Sequence, residues 1–70
     1  MWDYSKLKGR TKEMGYRQED VGIAIGLTPA TYSQKLNHKT EFKQSEIDDI
    51  CKFLDIPEKE ITNYFFTAKV

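Results

Sequence analysis

Apolar residues recur along this chain in pairs five positions apart: Trp2 and Leu7, Tyr16 and Val21, Leu27 and Tyr32, Phe42 and Ile47, and Ile56 and Ile61. A residue just outside a helix that packs on the fourth residue inside it gives this spacing, the hydrophobic staple. Five such pairs predict five helix starts. The caps between them are unequal. Asp3 and Thr28 carry side-chain acceptors, whereas Arg17, Lys43 and Pro57 do not. Acids in the first turns (Glu19, Asp20, Glu46, Glu58 and Glu60) offset part of that deficit through the helix dipole.

Helical periodicity fills the intervals. A first helix is expected over about 4–14, burying Leu7 and Met14 with help from Thr11 and ended by Gly15. A second is expected over about 18–25 and a third over about 29–37, followed by a polar loop that runs to Phe42. The fourth, over about 44–54, sets Ile47, Ile50, Cys51 and Leu54 on one stripe and is broken by Asp55-Ile56-Pro57. A short fifth helix covers about 58–63. The segment Tyr64-Phe65-Phe66-Thr67 is aromatic and β-prone, and the tail 64–70 admits a helical extension, a short strand or an extended run. The fold class predicted is all-α: a compact bundle of about five short helices forming one domain over 1–70, with no repeat or linker. Its expected core is Leu7, Val21, Ile25, Leu27, Tyr32, Leu36, Ile47, Ile50 and Leu54.

The stretch 18–36, QEDVGIAIGLTPATYSQKL, reads as two helices joined by a tight turn, a helix-turn-helix. Gly26 can take the left-handed conformation that ends the first of them. Thr28 can cap the second, and Pro29 suits its first position. Leu27 is apolar in an otherwise polar turn, as a plug between the helices would be. Val21 and Ile25 share one face, Tyr32 and Leu36 another, and Gly22 leaves room for close approach. Gln18, Gly22, Gly26-Leu27, Tyr32 and Leu36, at this spacing, resemble the lambda-repressor and Cro-like family of phage regulators. That family usually has Ala where Gly22 stands and Ile, Val or Leu where Tyr32 stands; neither departure breaks the motif. The start, MWDYSKLKGR, and the segment IPEKEITNYFFT resemble small phage-encoded Cro-like regulators of Gram-positive hosts. The resemblance implies a five-helix lambda-repressor-like DNA-binding domain used alone as a regulator. It leaves open whether the protein represses or modulates another repressor.

Composition narrows the classes. There is no apolar run long enough for a membrane span and no signal peptide, so a cytoplasmic, nucleoid-associated protein of a bacterial host is expected. The single Cys51 excludes an internal disulfide, and with one His in the chain no zinc cluster, metal site or cofactor is expected. Cys51 reads as a small hydrophobe on the apolar stripe. The carboxylate pair Asp48-Asp49 lacks a basic partner, and no nucleophile, base and orienter come together, so an enzyme is not expected. The formal net charge is zero, low for a DNA-binding protein. Its distribution is polar: residues 1–43 hold eight Lys or Arg against five Asp or Glu (+3), and residues 44–70 hold three against six (−3).

Candidate contacts follow from position. On the third helix the outward set is Pro29, Ala30, Thr31, Ser33 and Gln34, with Gln34 the leading base reader because its amide can pair bidentately with adenine. Backbone contacts are expected from Gln18, Arg17, Thr28, Asn37, Lys39, Thr40 and Lys43. Two function classes stand. One is a sequence-specific DNA-binding regulator reading a double-stranded operator, as a homodimer. The other is an antirepressor or modulator that works by binding a partner repressor protein. The zero net charge, Pro29-Ala30 where polar readers often sit, and an outward Ile23 draw toward the second. For a dimer or partner contact, Tyr64 and Phe66 are expected nearer the surface, with Ile61 and Phe65 facing the core if the fifth helix continues.

Overall fold

Three of the connections in this fold are four residues long and built alike, and their repetition shapes the chain. The computed structural model describes residues 1–68. Among these the elements are α1 (Ser5–Glu13), α2 (Gln18–Ala24), α3 (Pro29–Leu36), α4 (Gln44–Phe53), a 3-10 turn (Glu58–Glu60) and α5 (Ile61–Phe65), with no strand. Met14-Gly15-Tyr16-Arg17 joins α1 to α2, Ile25-Gly26-Leu27-Thr28 joins α2 to α3, and Leu54-Asp55-Ile56-Pro57 joins α4 to the 3-10 turn. In each, the second residue is left-handed (φ 82°, 84° and 54°) and the fourth is the N-cap of the next element. The third is apolar, and its amide donates back across the turn: Tyr16 to the Thr11 carbonyl at 3.0 Å, Leu27 to Gly22 at 2.9 Å, and Ile56 to Cys51 at 2.8 Å. These are Schellman closures. The apolar residue placed to open one helix therefore also closes the one before it. The longer α3–α4 connection begins the same way, with His38 at φ 65° and the Lys39 amide donating to the Gln34 carbonyl at 2.9 Å.

The helix starts refine the expected caps. Thr28 accepts from the Thr31 amide at 3.2 Å, as its position demands. Asp3 acts from one residue further out, because Tyr4 is the N-cap and Ser5 donates to the Asp3 carboxylate at 2.9 Å. Where the N-cap is Arg17 or Lys43, the compensation is a discrete hydrogen bond rather than a diffuse dipole effect. The Arg17 amide donates to Asp20 and the Lys43 amide to Glu46, both at 2.8 Å.

The core contains Leu7, Val21, Tyr32, Leu36, Ile47, Ile50 and Leu54, joined by Tyr4, Cys51, Ile56, Tyr64 and Phe65. Half-buried Phe42 is its aromatic hub, with ring centroids 5.4 Å from Tyr4, 5.9 Å from Tyr32 and 5.7 Å from Phe65. Ile25 and Leu27, expected in the core, pack against it half-buried, because both lie in the α2–α3 connection. Met14 is exposed rather than buried: it caps α1 at the surface, where Gly15 turns the chain away. Tyr16 lies against Phe53, centroids 4.5 Å apart. Between α2 and α3 the approach is close enough that a Cβ on Gly22 would sit 2.7 Å from the Tyr32 Cβ.

At the C-terminal end the helical reading of the tail holds as far as Phe65, and a single isolated bridge follows it, Ala68 pairing antiparallel with Trp2. The Asp3 amide donates to the Thr67 carbonyl at 2.7 Å. Residues 69–70 of the expected tail lie outside the described residues. Tyr64 is buried, which corrects its expected place on a partner surface. The 3-10 lead-in and α5 pack this end on α1, so two consecutive rings, Tyr64 and Phe65, both fall inside the apolar sector. The Lys6 ammonium lies 4.9 Å from the Tyr64 ring centre. Phe66 is exposed, but its ring meets Trp2 edge-on at 5.5 Å.

Candidate interaction surface on α2 and α3

Burial of Val21, Gly22, Tyr32 and Leu36 fixes which side of this helix pair meets solvent. Ile23, Ala24, Pro29, Ala30, Ser33 and Gln34 are exposed, and Thr31 is half-buried. Ile23 is the most exposed Ile, Leu or Val among the described residues, at 60%. Apart from half-buried Thr31, the expected base-reading set is thus on the surface, and three apolar side chains, Ile23, Pro29 and Ala30, are exposed on this helix pair.

Several of the polar candidates are engaged within the protein. The Thr28 hydroxyl accepts from the Thr31 amide and donates to the Thr31 hydroxyl at 2.9 Å, so its first role is that of a cap. The Asn37 amide donates to the Ser33 hydroxyl at 3.3 Å. Arg17 is exposed, its guanidinium 3.5 Å from Glu19. Gln18 is exposed at the first position of α2, and Lys39, Thr40 and Lys43 are exposed after α3. His38 is half-buried, stacked on Tyr4 at 5.0 Å.

Lys35 changes the electrostatic picture. It is the only charged residue of α3, and it is buried. Its ammonium donates to the Glu41 carbonyl at 2.9 Å and lies 3.2 Å from the Glu46 carboxylate, itself buried. The sequence count places Lys35 in the basic half and Glu46 in the acidic half. Pairing them inside lowers the surface balance of the two halves to +2 and −2. Nothing in the residue pattern of α3 signals this, because the acceptor comes from α4. Arg10 is drawn inward too, its guanidinium donating to the Leu54 carbonyl at 2.9 Å and the Asp55 carbonyl at 3.1 Å. The outer face of α3 therefore carries no charge.

Burial also sets the proton affinities. It pushes the Tyr32 phenol well above its ordinary value. Burial, then the Glu41 carboxylate, raises Tyr4; burial, then Asp48, raises the Cys51 thiol. Among the described residues no three His, Cys, Asp or Glu come together as metal ligands, and no helix is long and apolar enough to cross a membrane.

This all-helical chain belongs to the family described as Protein of unknown function (DUF739), whose model matches residues 1–68. It is similar to the solution structure of the modulator of repression (MOR) of the temperate bacteriophage TP901-1 from Lactococcus lactis. The identity is 40% and the TM-score 0.81, over 99% of this chain and 93% of that one. No curated protein matches the chain.

Proposed function

We propose that this chain is a phage-type modulator of repression, a non-enzymatic regulator that acts in the host cell by binding a repressor protein. The contact is the exposed face of α2 and α3, with Ile23, Pro29 and Ala30 at its centre. The observation that carries the reading is the uncharged outer face of α3, left by the burial of Lys35 against Glu46. Affinity for DNA comes largely from cations that displace counterions along the phosphates. This α3 offers none, while small and apolar groups suit a protein interface. The likeness to a modulator of repression supports the same class. We read the α2–α3 pair as a helix-turn-helix of the lambda-repressor and Cro-like kind, turned toward a protein. One copy suffices for such a contact. The two-copy requirement attaches to operator reading, where half-sites lie about 34 Å apart.

Direct DNA reading has one specific support: Gln34 and Ser33 are both exposed on α3, with Arg17, Lys39 and Lys43 exposed on flanking segments. A mobility-shift titration with DNA from the gene neighbourhood, with and without the adjacent repressor, separates the two. The chain alone should leave the DNA unshifted below the micromolar range typical of non-specific binding. Added to a repressor–DNA complex, it should change that complex. Ala30→Glu should abolish the change with helicity intact. A nanomolar shift by the chain alone that is lost in Gln34→Ala would refute the proposal in favour of an operator-binding dimer.

A further inference from the structure

A cleft that the sequence pattern does not announce runs along α4, the 3-10 turn and α5. It has a volume of about 590 Å³ and adjoins a second cleft of about 300 Å³, with Asp48 and Ile61 lining both. Ile47, Cys51, Ile56 and Ile61, with Phe42 and Phe66 at the smaller cleft, supply the apolar walls. Asp48, Asp55 and Glu58 stand at the rim against one cation, Lys52. None of these three carboxylates takes part in the ion pairs among the described residues. No residue of either cleft belongs to α2 or α3.

We propose that this groove is a docking site for a basic amphipathic helix of another protein. An apolar floor with an acidic rim matches a helix with one apolar stripe flanked by Lys or Arg, laid lengthwise in the groove. Charge complementarity selects among occupants. Nucleic acid and anionic lipid present phosphates, which a rim of three carboxylates against one ammonium repels. In a closed two-fold dimer the same patch faces itself, acid against acid. The inference goes beyond the α2–α3 reading and does not rest on it.

The test is a nuclear magnetic resonance titration of the isotope-labelled full chain. The probes are a synthetic helical peptide of Leu and Lys with one apolar stripe, its Leu and Glu counterpart, and a short double-stranded DNA. The Lys peptide should shift the amides of Ile47, Asp48, Cys51, Asp55 and Ile61 together and saturably. Asp48→Asn with Asp55→Asn should weaken it roughly five- to tenfold at low salt, as two exposed ion pairs would. The difference should shrink near 1 M salt, where screening acts within about 3 Å. Asn tolerates the left-handed backbone at position 55, so the variant keeps the fold, and the far-ultraviolet spectrum checks it. The single Asp48→Asn variant repeats the test should the double variant lose helicity. Ala30→Glu should bind the peptide as the parent does, whatever the fate of repressor binding. Shifts scattered over every exposed acid, equal binding of the Glu peptide, unchanged affinity of the Asn variants, or the same amides responding to DNA would each overturn the proposal.

Discussion

Gly9 and Gly22 both lie inside helices, and the structure predicts opposite outcomes for the same substitution. Replacing Gly by Ala in a helix interior gains about 1 kcal/mol of propensity. Gly9 has nothing within 4 Å of where a Cβ would be. Gly9→Ala should therefore realise most of that gain and raise the melting temperature by about 4–8 °C. At Gly22 the new Cβ would meet the Tyr32 Cβ at 2.7 Å and its Cγ at 3.1 Å. Carbon atoms pack at about 3.5–4.0 Å, so α3 would have to retreat by roughly 1 Å. The obstacle is no flexible tip: the Tyr32 Cβ is fixed to the α3 backbone, and its ring is 1% exposed. Overpacking of this kind costs about 1–3 kcal/mol. Set against the propensity gain, Gly22→Ala should come out between neutral and about 2 kcal/mol less stable than the parent. Urea unfolding followed by circular dichroism on the parent and both variants measures this. A Gly22→Ala protein as stable as Gly9→Ala would refute the close-approach argument, because the two differ only in what their new methyl meets.

Glu46→Ala should cost about 3–5 kcal/mol by leaving the Lys35 ammonium buried without its partner. Lys35→Met should cost less, because Glu46 keeps the Lys43 amide; urea midpoints of the two variants check the order. Asp55→Gly should stabilise by up to about 1 kcal/mol in thermal melts, since Asp55 holds φ 54° and Gly adopts that conformation without strain. Tyr32 and Tyr4 keep their protons longer when folded than the ordinary phenol value of 10.0 allows. Their contribution to stability is thus complete below about pH 10 and lost as the pH rises through the raised folded values. Phenolate absorbance should rise in more than one step, the later one coinciding with alkaline unfolding, and a single step near the ordinary value would refute it.

Four of the five expected starts were legible because a staple is local: five residues of spacing and one cap are all visible in the chain. The first fell one residue late, with Tyr4 rather than Asp3 as the N-cap of α1, and Trp2 meets Phe66 instead of opening that helix. The stops were half legible. Gly15 and Gly26 announce a left-handed residue, and His38 and Asp55 do not, although they close α3 and α4 by the same hydrogen bonds. His and Asp only tolerate that conformation, so their presence is weak evidence for it. Tyr64 was misplaced for a different reason. Whether it or Phe66 faces inward depends on how the 3-10 turn aims a five-residue helix at α1, a tertiary fact with no periodicity long enough to record it.

The candidate surface was harder to read than the fold, and Lys35 shows why. In the chain it is one more cation on a helix expected to meet DNA. In the fold its ammonium sits between the Glu41 carbonyl and the Glu46 carboxylate, and that carboxylate also holds the amide of Lys43, the N-cap of α4. One acidic side chain thus does two jobs, capping α4 and discharging α3. The cap alone would have been a surface interaction of modest worth. Joined to Lys35, it fixes the loop after α3 and removes the only charge that α3 could present. A count of Lys and Arg cannot distinguish a cation offered to phosphate from one consumed inside, because the two differ only in the placement of α4.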